Sequence, residues 1–177
     1  MTASLRRGWC PGALKPMETG DGWLVRLHPP LGLLTPAMLR SIADLAAQHG
    51  NGLADVTARG NLQLRGIRPA SHAPLVEALL ATGIVDPEED DGPHRLVLTS
   101  ALAGCDPTEH ADPRPLVAAI TAACRGLALP AKTVVVVDSG GLPLTAQNAD
   151  LTLRAIAPDA WLIGLPHDQW TGPLTSL

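Results

Sequence analysis

Leu53 to Gly66, LADVTARGNLQLRG, is the stretch on which the reading of this chain turns. Its odd positions carry Asp55, Thr57, Arg59, Asn61, Gln63 and Arg65; its even positions carry Ala54, Val56, Ala58, Gly60, Leu62, Leu64 and Gly66. Successive side chains of an extended strand point to opposite faces, so the pattern describes a ribbon with one apolar face and one face of hydrogen-bonding groups. Two guanidiniums, two amides and a hydroxyl together suit a ligand with several carboxylates, because arginine offers a planar fork of donors and keeps its charge. The same alternation also fits a hairpin whose polar face is simply solvated, and Gly60 is a point where a turn or bulge can interrupt the ribbon.

Upstream of the ribbon, Asn51-Gly52 marks a turn. Before it, Thr35-Pro36 supplies an N-cap and a first-turn proline for a helix carrying Met38, Leu39, Ile42, Leu45 and Ala46 as far as Gly50. Gly22 to His28 reads as a strand closed by Pro29-Pro30. Downstream, a second helix is predicted from Ser71 to Thr82, with Leu75, Val76, Leu79 and Leu80 on one face and Gly83 as its stop. The order strand, helix, strand, strand, helix predicts a ferredoxin-like α+β half-domain, an antiparallel sheet with helices on one face and the other face free to cover a ligand. Residues 5–21 read as an irregular arm, to be ordered by wrapping an anionic ligand or by packing against a partner domain, with a frayed terminus as the alternative.

Asp86 to Gly92 is acidic and bounded by Pro and Gly, which divides the chain into 1–85, a linker at 86–93, and 94–177. In the last segment Leu96 to Thr99 is a short strand, Asp112-Pro113 opens a helix with Leu116, Val117, Ile120 and Ala123, and Lys132 to Asp138 is a β-branched strand suited to a sheet centre. Ser139-Gly140-Gly141 reads as a hairpin turn, and Leu151 to Ile156 and Trp161 to Leu165 as further strands. The tail from Pro166 to Leu177 shows no element, so this second α/β half is expected to be incomplete.

The 177 residues hold four Trp and no Phe or Tyr, so the cores must be mainly aliphatic. The net charge of −4 hides an asymmetry: residues 1–70 hold eight basic against four acidic side chains, the rest five against thirteen. Anion binding therefore belongs to the first part. Scattered cations without stacking aromatics argue against nucleic acid as a partner, and no apolar run has the length of a membrane span, which leaves a cytoplasmic protein as the default. Cys10, Cys105 and Cys124 are too few and too scattered for a disulfide framework, a zinc site or an iron–sulfur site. Cys105, Asp106, Glu109 and His110 fall within six residues but lack dedicated ligand spacing, so that loop is read as solvated rather than metal-binding.

Thr57-Ala58-Arg59-Gly60-Asn61-Leu62-Gln63-Leu64-Arg65-Gly66 resembles the T-x-R-x-x-x-Q-x-x-G signature of the ferredoxin-like half-domain in sirohaem-dependent nitrite and sulfite reductases. Arg7-Gly8-Trp9-Cys10-Pro11-Gly12, Gly20-Asp21-Gly22, Asn51-Gly52-Leu53 and Leu102-Ala103-Gly104-Cys105-Asp106-Pro107 are similar to the precorrin-3B synthase branch, which acts in cobalamin biosynthesis. Gly60 stands where the reductases often carry glutamine, which favours that branch. The resemblance implies a fold of the sulfite/nitrite reductase type and a tetrapyrrole ligand bearing acetate and propionate groups. It implies oxidation of precorrin-3A by hydroxylation and lactone formation, with dioxygen, a reductant and a 4Fe-4S cluster. Arg59 corresponds to the signature arginine at the macrocycle and is the catalytic candidate. Arg6, Arg7, Lys15, Thr57, Asn61, Gln63 and Arg65 join it as substrate-binding candidates. No metal ligand or cofactor is expected on this chain alone. The cluster cysteines, a second half-domain and an electron donor would come from a further part or a separate polypeptide. A sirohaem reductase piece and a non-catalytic tetrapyrrole-binding module are the alternatives.

Overall fold

The computed structural model describes residues 11–29, 32–57, 60–87, 96–125, 127, 129–130, 133–142, 144, 148–167 and 169–175. The chain divides into two compact units, Met1–His94 and Arg95–Leu177.

The first unit runs β1 (Met17–Thr19), β2 (Gly22–Leu27), α1 (Pro36–His49), β3 (Ala54–Val56), β4 (Leu62–Ile67) and α2 (Pro69–Ala81). All strand pairings are antiparallel, in the spatial order β1-β2-β4-β3. Helix α1 starts where its sequence says: the Thr35 hydroxyl accepts from the Met38 N–H at 3.1 Å, and Pro36, which has no N–H to lose, occupies the first turn. It stops at Gly50, where a side chain would run into the Arg65 carbonyl and the Ile67 methyl. Val25, Leu27, Leu62, Leu64 and Ile67 of the sheet meet Ile42, Leu45 and Ala46 of α1 and Leu75 and Leu79 of α2, so both helices cover the same sheet face. Helix α2 begins two residues earlier than predicted, with Pro69 in its first turn.

The arm is corrected in part. Met17–Thr19 is a strand rather than irregular chain, and Pro11, Gly12 and Ala13 are buried. The His72 ring donates from Nε2 to the Ala13 carbonyl at 2.8 Å, the carbonyl being able only to accept. Within residues 11–19 the chain packs on its own sheet and α2. Most of the acidic linker lies outside the described residues.

The second unit runs β5 (Leu96–Thr99), α3 (Arg114–Cys124), β6 (Val134–Asp138), β7 (Leu151–Ala157), β8 (Ala160–Leu165) and β9 (Gln169–Thr175), with its strands side by side in that order. Strand β6 lies parallel to both β5 and β7, and Val134, Val135, Val136 and Val137 are all buried, as a central parallel strand covered on both faces requires. Two expectations fail here. Ser139-Gly140-Gly141 is not a hairpin turn, because the strand it leads to is parallel; it begins a crossover. The tail is not elementless: β9 pairs antiparallel with β8, with Trp170 laid against Gly164 and within 4.7 Å of the Arg154 guanidinium.

The two glycines after Ser139 make room for side chains of the 105–110 loop. A Cβ on Gly140 would sit 2.5 Å from His110 Nδ1, and one on Gly141 2.6 Å from Asp106 Oδ2. Glu109 accepts from the Ser139 hydroxyl and the Gly104 N–H, each at 2.8 Å, and Asp106 accepts from Thr108 and from the Leu142 N–H. This loop is therefore pinned to the end of β6 rather than merely solvated, and its acids are spent on that. No group of three His, Cys, Asp or Glu side chains among the described residues could hold a metal ion.

Candidate functional site

The ribbon of residues 53–66 is a hairpin rather than one continuous strand. Asp55 lies opposite Gln63 and Val56 opposite Leu62. Past them, the Thr57 N–H donates to the Asn61 carbonyl at 2.8 Å, and the Gly60 N–H to the Thr57 carbonyl at 2.9 Å. Odd residues thus face odd residues across the hairpin, so the turn preserves the parity of the polar face instead of scrambling it. Gly60 makes this turn with φ of 71°, a conformation costly for any residue with a Cβ. The apolar side is less regular than expected: Leu62 and Leu64 are core, while Val56 on edge strand β3 is 74% exposed.

The neighbour across β4 supplies a group that reading one ribbon missed. Strand β2 places Arg26 opposite Gln63, on the face away from the helices. In the amide orientation that satisfies both groups, the Gln63 carbonyl oxygen accepts from Arg26 Nη2 at 2.8 Å and from Nε at 3.3 Å. No carboxylate among the described residues lies within ion-pair distance of Arg26. The alternation of Trp23, Val25 and Leu27 with Leu24 and Arg26 along β2 was the available signal, since it puts Arg26 on the face opposite Val25 and Leu27.

Thr57 and Asn61 hold the hairpin closed, the Asn61 N–H donating to the Thr57 hydroxyl at 3.1 Å. Arg65 lies on the same face but is engaged within the chain: Nε and Nη2 each donate to Asp21 at 3.2 Å, and Nη1 is 3.9 Å from Asp55. Lys15 is exposed, two residues before β1. Arg6, Arg7 and Arg59 lie outside the described residues. The structure therefore brings Gln63, Arg65, Thr57 and Asn61 onto one face, adds Arg26, and places Lys15 apart from them in the segment before β1.

Residues 15–82 match the model of the nitrite/sulfite reductase ferredoxin-like half domain. The first unit has the ferredoxin-like half-domain fold. The chain as a whole is 42% identical over 171 residues to the precorrin-3B synthase of a Sinorhizobium species, an alignment covering 92% of this chain and 36% of that one. It is 32% identical over 113 residues to the ferredoxin–nitrite reductase of Leptolyngbya laminosa, covering 63% of this chain and 22% of the relative. The NirA protein of Mycobacterium tuberculosis shares the fold, with a TM-score of 0.63 and 23% identity over 81% of this chain and 28% of that one. The chain thus spans about a third or less of the length of these relatives. The half-domain reading and the fold class agree with the sequence expectation, the polar face of β2 and β4 being the sheet surface the helices leave open.

An iron–sulfur cluster of the kind the resemblance implies does not fit these residues. Four thiolates are the usual ligand set. The 177 residues contain three cysteines, of which Cys105 is exposed on the pinned loop and Cys124 ends α3. No helix of the described residues is long and apolar enough to cross a membrane.

Proposed function

We propose that this chain contributes the tetrapyrrole-binding half-domain of a precorrin-3B synthase-type oxidoreductase in cobalamin biosynthesis. The observation that carries this reading is the 42% identity to the Sinorhizobium precorrin-3B synthase, which runs through both units rather than the half-domain alone. The polar face supports it chemically. Arg26 donates to Gln63 through Nη2 and Nε, leaving Nη1 unengaged by any described residue and available to a carboxylate, while the Gln63 contact fixes the plane of the fork. A ligand edged with acetates and propionates meets such a face through several charge-assisted hydrogen bonds, each contributing more than a neutral one.

In this reading Arg26 and Arg59 grip carboxylates and orient the macrocycle, with Arg6, Arg7 and Lys15 closing over it. The chain's share of the reaction is positioning, which converts binding into alignment of the reacting carbon. Hydroxylation and lactone formation on precorrin-3A would use dioxygen, a reductant and thiolate-bound iron supplied outside these 177 residues, by a further part of the protein or a separate polypeptide, with an electron donor. The nitrite reductase relatives favour a second reading, a sirohaem-binding reductase unit, at lower identity. Gly60 counts against it, since it stands where the reductases often carry glutamine.

Calorimetric titration with uroporphyrin, a tetrapyrrole bearing acetates and propionates, tests the site. Arg26→Ala and Arg59→Ala are each expected to weaken binding by about 1.5–3 kcal/mol. Binding indifferent to both substitutions would place the ligand elsewhere, and selective binding of sirohaem over uroporphyrin would favour the reductase reading.

A further inference from the structure

Of the two described guanidiniums on the polar face, Arg65 is answered by described carboxylates and Arg26 by none among the described residues. Asp21, in the turn between β1 and β2, takes both Nε and Nη2 of Arg65 at 3.2 Å in a side-by-side arrangement. Asp21 is itself held: the Thr19 hydroxyl donates to it at 2.8 Å and the Asn51 amide at 3.4 Å. The corner is closely packed, since a Cβ on Gly22 would lie 2.9 Å from the Gly66 carbonyl carbon, and one on Gly66 2.8 Å from Asn51 Cβ. With Asp55 at 3.9 Å, two carboxylates face one guanidinium there, whereas among the described residues no carboxylate faces Arg26.

We propose that Asp21 is a specificity-determining residue of this face: it occupies the Arg65 fork, so that ligand carboxylates are taken at the Arg26 end and the face accepts fewer of them than its arginines suggest. The inference rests on the face being a polycarboxylate site. A ligand carboxylate reaching Arg65 would have to displace one already positioned by three partners and approach Asp55 as well, whereas at Arg26 no carboxylate among the described residues competes with it.

The test is fluorescence titration of the full chain at low salt with uroporphyrin and with coproporphyrin, which lacks the acetates. Arg65→Ala is expected to leave uroporphyrin affinity within about twofold, because that guanidinium is already engaged. Asp21→Asn is expected to raise uroporphyrin affinity about three- to tenfold, and coproporphyrin affinity less, with the gain lost in the Asp21→Asn/Arg65→Ala double variant. A loss greater than about fivefold in Arg65→Ala overturns the proposal, since that exceeds what an exposed ion pair accounts for. So does an Asp21→Asn chain of unchanged circular dichroism that binds no better than wild type. Should Asp21→Asn not fold, the Arg65→Ala result decides alone. Wild-type chain that binds no uroporphyrin overturns the site reading itself, a result separable from these because no variant enters it.

Discussion

The guanidinium of Arg26 sits in a sheet, held in plane by Gln63, with its charge directed at whatever meets the open face. Lysine there would keep the charge and lose the fork. Arg26→Lys is therefore expected to bind uroporphyrin about three- to tenfold more weakly than wild type while keeping a similar salt dependence, as read by titration at two ionic strengths. Three carboxyls elsewhere link single residues to acid stability. Asp21 is held below the usual carboxylate range by the Thr19 hydroxyl and the Arg65 fork, Asp106 by Thr108, and Asp112 by Arg114. A lowered folded value means the unfolded chain takes up the proton first. Each group's contribution is thus complete above its unfolded value of about 3.9 and is lost as the pH falls through the lower folded value. Denaturant midpoints are expected to hold between about pH 7 and 5 on this account and to drop below about pH 4, with a smaller drop in Asp112→Asn.

Strand β4 is the element both helices and both neighbouring strands depend on. Leu64 is fully buried between β2, β3 and the helix layer, so Leu64→Ala is expected to cost about 2–5 kcal/mol, measurable by denaturant unfolding. Gly66 follows with φ of 64° and has the Asn51 side chain where a Cβ would go. Gly66→Ala should therefore cost at least the roughly 1–2 kcal/mol of a left-handed residue, and more unless Asn51 withdraws. Hydrogen exchange of β2 and β4 amides should quicken in both variants. The hairpin itself was legible in part: alternation identified the polar face, and Gly60 was recognised as the place where the ribbon could turn. That the turn would keep odd residues opposite odd ones was not legible, because that depends on which backbone groups pair across it.

At the scale of the whole molecule, a chain of net charge −4 binds an anion only through local arrangement. Uroporphyrin affinity is expected to fall as salt rises from about 0.05 to 0.5 M, because the facing charges are exposed and screened within about 10 Å at 0.1 M; affinity independent of salt would point to apolar binding instead. The capping of α1, the apolar faces of β2 and β4, the buried run of β6 and the family signature all follow from residues near one another in the chain. They could be read directly because caps, alternation and β-branching act over a few positions. Arg26 beside Gln63, Asp21 on Arg65 from 44 positions away, the parallel course after Ser139-Gly140-Gly141 and the pairing of β9 were decided by tertiary structure alone. Cross-strand register and sheet order are set by hydrogen bonding and packing between distant segments, and no local pattern encodes which distant segment will arrive.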